Sequence, residues 1–129
     1  MSFRQKCILA SVGLLLMGTV PAWSQVSQRL DPDKDGTIDL AEAKNAASRL
    51  FGRLDRDHDG TLDKRELRGR LSAKDFAAAD PDKDGTLDKD EFLAVIEARF
   101  KAANPDSDDT IDAKELASSA GRSLSRLLK

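Results

Sequence analysis

The chain has little of what many catalytic and binding sites require: its 129 residues include one Cys, one His, one Trp and no Tyr. A single Cys cannot form an internal disulfide, and one Cys with one His cannot supply the ligands of a zinc finger. A Ser-His-Asp or Cys-His catalytic site would depend on His58 alone. The net charge of −2 provides no basic surface for nucleic acid. The length suits one ordinary domain.

The first 24 residues have the pattern of an export signal. They contain two basic residues and no acid, then an apolar run over residues 7–20, and they end with Ala22-Trp23-Ser24. This pattern is typical of a secretory signal peptide. The alternative is an N-terminal membrane anchor, but spanning a bilayer takes roughly 20 apolar residues, more than this run contains. We therefore expect a signal peptide over residues 1–24, a mature domain over residues 25–129 with no stable membrane span, and a periplasmic or secreted location.

Acidic residues are concentrated in four segments of twelve residues, which begin 24, 25 and 24 residues apart. We call them loop 1 (residues 31–42), loop 2 (55–66), loop 3 (80–91) and loop 4 (104–115). Together they hold 21 of the 23 acids of the chain, which recur at positions 1, 3, 5, 9 and 12 of the segments. A solvated charged surface would scatter its acids, so this spacing indicates a shared ligand.

The spacing suits a calcium ion. Ca²⁺ binds six to eight oxygen atoms at about 2.3–2.6 Å, so a loop surrounds it only if alternate side chains turn inward. Positions 1, 3 and 5 supply carboxylates, position 7 a backbone carbonyl, position 9 a direct or water-mediated contact, and position 12 a bidentate Glu. Position 6 must turn sharply, which Gly permits at positive φ. Position 8 is apolar and is expected to pair with another loop in a short β bridge; its residues are Ile38, Leu62, Leu87 and Ile111.

Three of the four loops match one known pattern throughout. Loops 1 to 3 read DPDKDGTIDLAE, DRDHDGTLDKRE and DPDKDGTLDKDE, and they resemble EF-hand calcium loops, D-x-D-x-D-G-x₅-E. Loop 4, NPDSDDTIDAKE, resembles them with two departures. The chain is thus similar to exported, bacterial-type EF-hand proteins with four such loops. The resemblance implies an all-α fold: a compact helix-loop-helix array with four calcium loops and short β bridges between loops.

The resemblance also implies six metal ligands in each loop. These are Asp31, Asp33, Asp35, Thr37, Asp39 and Glu42; Asp55, Asp57, Asp59, Thr61, Asp63 and Glu66; Asp80, Asp82, Asp84, Thr86, Asp88 and Glu91; and Asn104, Asp106, Asp108, Thr110, Asp112 and Glu115. Loop 4 has a neutral Asn at position 1 and Asp109 instead of Gly at position 6, so it should be the weakest of up to four Ca²⁺ sites. Mg²⁺ is disfavoured because it demands a tight octahedron. His58, at position 4 of loop 2, should be an exposed spacer.

Helices are predicted between the loops. The segment Ala41–Leu54 is rich in helix-forming residues, and Glu91–Ala103 has an apolar stripe at helical spacing. Phe51, Phe76 and Phe100 each stand four residues before a loop begins. We expect them to pack in the core; the alternative is an aromatic set that binds a ligand.

The connectors constrain which loops can meet. A break at Gly69–Ser72, with Ser72 as the N-cap of the next helix, allows loops 2 and 3 to come together. A continuous helix of twelve residues separates its ends by about 18 Å, so loops 1 and 2, or 3 and 4, could not pair directly. Segments 31–79 and 80–128 align as a duplicated two-loop unit. Residues 116–129 are expected to form an amphipathic helix that closes the core, with a membrane-surface or partner helix as the alternative.

These expectations define a function. We expect an exported protein that binds calcium ions and acts in buffering, in metal-dependent stabilisation or in sensing. The alternative is a calcium-dependent module that binds an unknown protein target through an exposed helix groove. The low Met content disfavours a groove of the calmodulin type. We do not expect an enzyme, because no polar cluster outside the loops resembles a nucleophile, an acid-base pair or a phosphate-binding loop.

Overall fold

The computed structural model describes residues 29–129, so the predicted signal peptide and residues 25–28 lie outside the described part of the chain. Within that part, the chain is mostly helical, as expected for an all-α fold. The helices are α1 (Leu40–Leu54), α2 (Lys64–Leu67), α3 (Ala73–Ala79), α4 (Lys89–Ala103), α5 (Ala113–Leu116) and α6 (Ser119–Leu128). The two-residue strands are β1 (Ile38–Asp39), β2 (Thr61–Leu62), β3 (Leu87–Asp88) and β4 (Thr110–Ile111).

The strands join the loops in two pairs. β1 pairs antiparallel with β4, so that Ile38 lies opposite Ile111. β2 pairs antiparallel with β3, so that Leu62 lies opposite Leu87. The predicted bridges between position-8 residues are confirmed, and loops 2 and 3 meet, as the break between them allows. Loop 1 therefore pairs with loop 4, the loop farthest from it in sequence.

The pairing follows from two long helices that each connect two loops. α1 leaves loop 1 and enters loop 2, while α4 leaves loop 3 and enters loop 4. Because loop 1 meets loop 4 and loop 2 meets loop 3, the two helices run antiparallel. Lys44 Nζ on α1 lies 2.8 Å from Glu97 Oε2 on α4 and ties them together. A helix of this length spans about 22 Å, so the two loop pairs lie at opposite ends of the molecule.

The connector between loops 2 and 3 breaks where the sequence predicted. Arg68 and Gly69 both have positive φ, 38° and 74°, and they end α2. The Ser72 side chain then accepts a hydrogen bond from the amide of Asp75 and caps α3. The corresponding connector of the second half breaks over two residues only and without positive φ, because Ala117 is right-handed and Ser118 already caps the longer helix α6. The duplication is therefore clear in the loops and long helices, and weaker in the connectors.

The core lies between α1, α4 and α6. The predicted packing of Phe51, Phe76 and Phe100 is confirmed, since all three side chains are buried. Phe51 also contacts Phe92 across the two long helices, with ring centroids 5.9 Å apart. The predicted closing helix is α6, which starts three residues later than expected and buries its Leu side chains in the core; these are Leu124, Leu127 and Leu128. Among residues 29–129, no helix is both long and apolar enough to cross a membrane.

Candidate metal centre

The Asp at position 1 organises each of the first three loops. Asp31, Asp55 and Asp80 are buried. In loop 1, Asp31 Oδ1 accepts the amide N–H of position 5 at 3.1 Å, and its Oδ2 accepts that of Gly36 at 3.0 Å. Loops 2 and 3 repeat both contacts within 0.1 Å of these N···O distances. The carboxylate at position 1 therefore shapes the turn while it faces the centre of the loop.

The remainder of each loop is held by a second turn and two left-handed residues. In loop 1, Asp35 Oδ1 accepts both the amide and the hydroxyl of Thr37, each at 2.8 Å. Position 6 has positive φ in every loop, as predicted, but so does position 4, which is never Gly; its residues are Lys34, His58, Lys83 and Ser107. His58 is exposed, so its predicted role as a spacer is confirmed.

Each loop brings three carboxylates together. The groups are Asp31, Asp33 and Glu42; Asp55, Asp57 and Glu66; Asp80, Asp82 and Glu91; and Asp106, Asp108 and Glu115. Within each group, one oxygen from every residue lies within 4.8 Å of the others, a spacing that one cation can bridge. The structure thus gathers positions 1, 3 and 12 in loops 1 to 3, and positions 3, 5 and 12 in loop 4. Oxygen ligands of this kind suit hard cations such as Ca²⁺.

Positions 9 and 12 have a further role that the sequence interpretation missed. Asp39 accepts the amide N–H of Glu42, and Glu42 Oε2 accepts the amide N–H of Asp39, which together form a capping box at the start of α1. The same reciprocal pair starts α2, α4 and α5. The signal was present in the sequence as D-x-x-E at the end of each loop. Each exiting helix therefore begins on two of the proposed ligands.

Crowding of carboxylates perturbs their protonation. The pKa of Asp33 and that of Asp82 are raised, mainly because each shares a hydrogen bond with the neighbouring position-1 Asp. The pKa of Asp57 is raised mainly by desolvation. Burial also raises the pKa of Glu42, and the nearby carboxylates Asp33, Asp39 and Asp31 add to the effect. A bound cation would relieve this repulsion.

Loop 4 differs where the sequence departs from the other loops. Asp109, at position 6, has φ of 73°, a left-handed conformation that Asp tolerates better than most residues. Asn104 is buried like its counterparts at position 1, but its Oδ1 has no hydrogen-bond partner among the described residues. Glu115 Oε1 is also buried and unpaired. Loop 4 keeps the arrangement of the other loops but has fewer internal hydrogen bonds.

Buried oxygen atoms without a hydrogen-bond partner indicate whether a cation fits the loops. In residues 29–129, the buried side-chain oxygens and nitrogens without a partner are Glu42 Oε1, Asn104 Oδ1 and Glu115 Oε1. All three belong to residues of the loops at which ligands are expected, and buried oxygen atoms of this kind are rarely left unsatisfied.

The family model described as EF hand matches residues 48–71 and again residues 73–96. These two segments are EF hands.

The first matched segment contains loop 2 with the second half of α1 and with α2, and the second contains loop 3 with α3 and the first half of α4. Loops 1 and 4 lie outside the matched segments, yet each also groups three carboxylates and has the same capping box. None of the curated proteins compared with the chain matches it. EF hands imply calcium binding, and the four carboxylate clusters agree with that function.

Proposed function

We propose that this protein is an exported calcium-binding protein with four EF-hand sites, and that it buffers Ca²⁺ or uses the ion to stabilise its own fold. The observation that carries the proposal is that all four loops gather three carboxylates, with unpaired buried oxygens in loops 1 and 4. The ligands are the six residues of each loop given above. Binding, rather than catalysis, is the role that such clusters suit.

The sites differ in strength in this proposal. Loops 1 to 3 each offer five carboxylates at ligand positions, whereas loop 4 has the neutral Asn104 at position 1. Charge count and loop rigidity both tune calcium affinity. Loop 4 lacks the charge and also the hydrogen bonds that fix position 1 in the other loops, so it binds Ca²⁺ most weakly.

Substitution of the last ligand in each loop tests the proposal. Replacement of Glu42, Glu66 or Glu91 by Gln removes a bidentate carboxylate and should weaken that site markedly, and Glu115→Gln should have a smaller effect. Calorimetry gives the number of sites, and the position-6 amide signals in NMR spectra follow each loop separately. Asp90→Asn is the matched control, because it removes one charge from loop 3 at an exposed position that is not a ligand. A wild-type chain that binds no Ca²⁺ at millimolar concentration would refute the proposal.

The charge of the loops also bears on which cations bind. Five carboxylates exceed the charge of a divalent ion, so a hard cation of higher charge should bind more tightly than Ca²⁺. Mg²⁺ should bind more weakly, because it needs a smaller octahedral site. Parallel titrations with Mg²⁺, Ca²⁺ and Tb³⁺ measure this order. An affinity that does not change with ionic charge would show that loop geometry, rather than charge, controls binding.

Export is proposed on the sequence of residues 1–24 alone. The mature chain should begin at or near Gln25. The intact mass of the protein isolated from its native compartment gives the start directly. A full-length species that remains in the cytoplasm would contradict this part of the proposal.

A second candidate is a calcium-dependent interaction module. It is favoured by an open cavity of about 400 Å³ between α3 and α4, which has a mostly apolar lining that includes Ala94 and Val95. Fluorescence of a hydrophobic dye, measured with Ca²⁺ and with chelator, separates the two candidates. A large increase on Ca²⁺ addition supports the module, and an unchanged signal supports the buffer.

A further inference from the structure

Arg99 connects three helices on one side of the molecule. It lies on α4, and its side chain is only 17 % exposed. Its Nη1 donates to the backbone carbonyl of Ser123 on α6 at 2.9 Å and to the Ser123 hydroxyl at 3.2 Å. Its Nη2 lies 3.3 Å from Asp75 Oδ2 on α3. The guanidinium therefore joins the helix that enters loop 3 to the helix that leaves it, and anchors both to α6.

Helix α3 has few other contacts of this strength. Phe76 is its only buried residue. The surface that α3 turns toward α4 is made of small residues, including Ala78 and Ala79, and the open cavity described above separates it from Ala94 and Ala98. Asp75 and Arg99 both line that cavity. Apolar packing of α3 thus depends mainly on Phe76, and the ion pair adds a second link from α3 to α4.

The repeat shows that this contact is a specific feature of loop 3. The residue that corresponds to Arg99 in the first half is Leu50, which lies 49 positions earlier. Leu50 is buried in the apolar core, so it cannot form an equivalent ion pair. The arrangement therefore does not belong to the loop pattern itself.

We propose that Arg99 is a positioning residue for the calcium site of loop 3, acting through Asp75; this inference rests on the proposed calcium binding. Loop 3 needs Asp80, at the end of α3, and Glu91, in the first turn of α4, to face one ion. Asp75 lies more than one turn before Asp80, and Arg99 lies about two turns after Glu91. A link at that distance from the ion sets the angle between the two helices, and thereby the distance between the two carboxylates.

Site-resolved calcium titrations of the full chain test the proposal. The amide signals of Gly36, Gly60, Gly85 and Asp109 follow loops 1 to 4. Asp75→Asn and Arg99→Gln should weaken binding in loop 3 by about twofold to fivefold, the range of a partly exposed ion pair. Asp75→Glu keeps the charge and should restore most of the affinity. Lys44→Gln is the matched control, because it breaks an ion pair between α1 and α4 without touching α3.

The outcomes separate this inference from the proposed function. A selective loss in loop 3, with loop 1 unchanged, supports it. Equal weakening of all four sites, or no weakening at any site, overturns it even if the wild type binds four ions. A merely structural contact would lower the melting temperature but would not affect loop 3 more than the other loops. Asp75 is half exposed, so its variants should fold, and circular dichroism of each variant checks that they do. A wild type that binds no calcium refutes the function itself.

Discussion

At the scale of single residues, the carboxylates that we propose as metal ligands also cap helices. The Glu at position 12 directs Oε2 to the start of the exiting helix, while Oε1 remains unpaired in loops 1 and 4. The Asp at position 9 caps the same helix. A metal ligand that is also a helix cap ties the geometry of the site to the start of the helix, so binding and helix order should reinforce each other.

Asn104→Asp should change loop 4 in two opposite ways. The added charge at a buried ligand position should raise the calcium affinity of loop 4 by roughly tenfold. Without metal, the same charge adds to the repulsion among the carboxylates and should lower the melting temperature. Site-resolved titration and thermal melting in chelator measure the two effects. Asn45→Asp, which adds an equal charge at an exposed position on α1, should produce neither.

Glu97 gives the stability of the protein a predictable dependence on pH. Hydrogen bonds from Lys44 and Lys101 lower the pKa of Glu97 from 4.5 to about 2. A carboxyl group whose pKa is depressed by folding stabilises the fold fully above its unfolded value, and this contribution is lost as the pH falls through the folded value. In chelator, the melting temperature of wild type should therefore exceed that of Glu97→Gln near neutral pH, and the difference should shrink between pH 4.5 and about 2. A difference that stays constant over that range would show that the ion pairs do not contribute.

At the scale of helices and strands, the sequence predicted the positions of the elements well and the contacts between them less completely. Periodicity and composition located both long helices within two residues, since these depend on local patterns. The break at Gly69 and the helix N-cap at Ser72 could be predicted for the same reason, because neighbouring residues in the sequence determine them. The three-helix contact of Arg99 was not foreseen, because Asp75 and Ser123 each lie 24 residues from it and no local pattern marks such a link.

Gly121 is required by the close approach of α5 and α6. A Cβ atom at this position would overlap the carbonyl oxygen of Glu115 and the backbone of Leu116. Gly121→Ala should therefore destabilise the protein by about 1–3 kcal/mol. Gly52→Ala on α1 is the control: a Cβ there meets no atom within 4 Å, so it should stabilise the helix by about 0.5–1 kcal/mol. Chemical denaturation measures both, and equal effects would refute the steric argument.

At the scale of the whole molecule, the duplication builds loop pairs that neither half can form alone. Each loop pair takes one loop from residues 31–79 and one from residues 80–128. The spacing of the carboxylates could be predicted from the sequence because it lies within twelve residues. The pairing of loop 1 with loop 4 was not specified, because it depends on how two distant helices pack.

Calcium should stabilise the whole fold strongly. Without it, each loop holds several carboxylates close together, and the described core contains no disulfide to oppose their repulsion. One site at a free Ca²⁺ concentration 100-fold above its Kd adds about 2.7 kcal/mol, equivalent to about 10–20 °C in melting temperature for a domain of this size. Circular dichroism should therefore show a melting temperature at least about 10 °C higher in millimolar Ca²⁺ than in chelator. Coincident, equally sharp transitions would show that the core alone maintains the fold.

The nested pairing of the loops, with loops 2 and 3 inside loops 1 and 4, also sets an order of folding. Leu62 and Leu87 are separated by 25 residues, whereas Ile38 and Ile111 are separated by 73. The longer closure costs about 1 kcal/mol more in chain entropy, and contacts between distant segments form more slowly. During synthesis, loop 1 emerges first but cannot pair until residue 111 has followed. Loop 1 is thus the first of the four loops to be synthesised and among the last to pair. It can become ordered through this pairing only after the chain has been synthesised as far as residue 111.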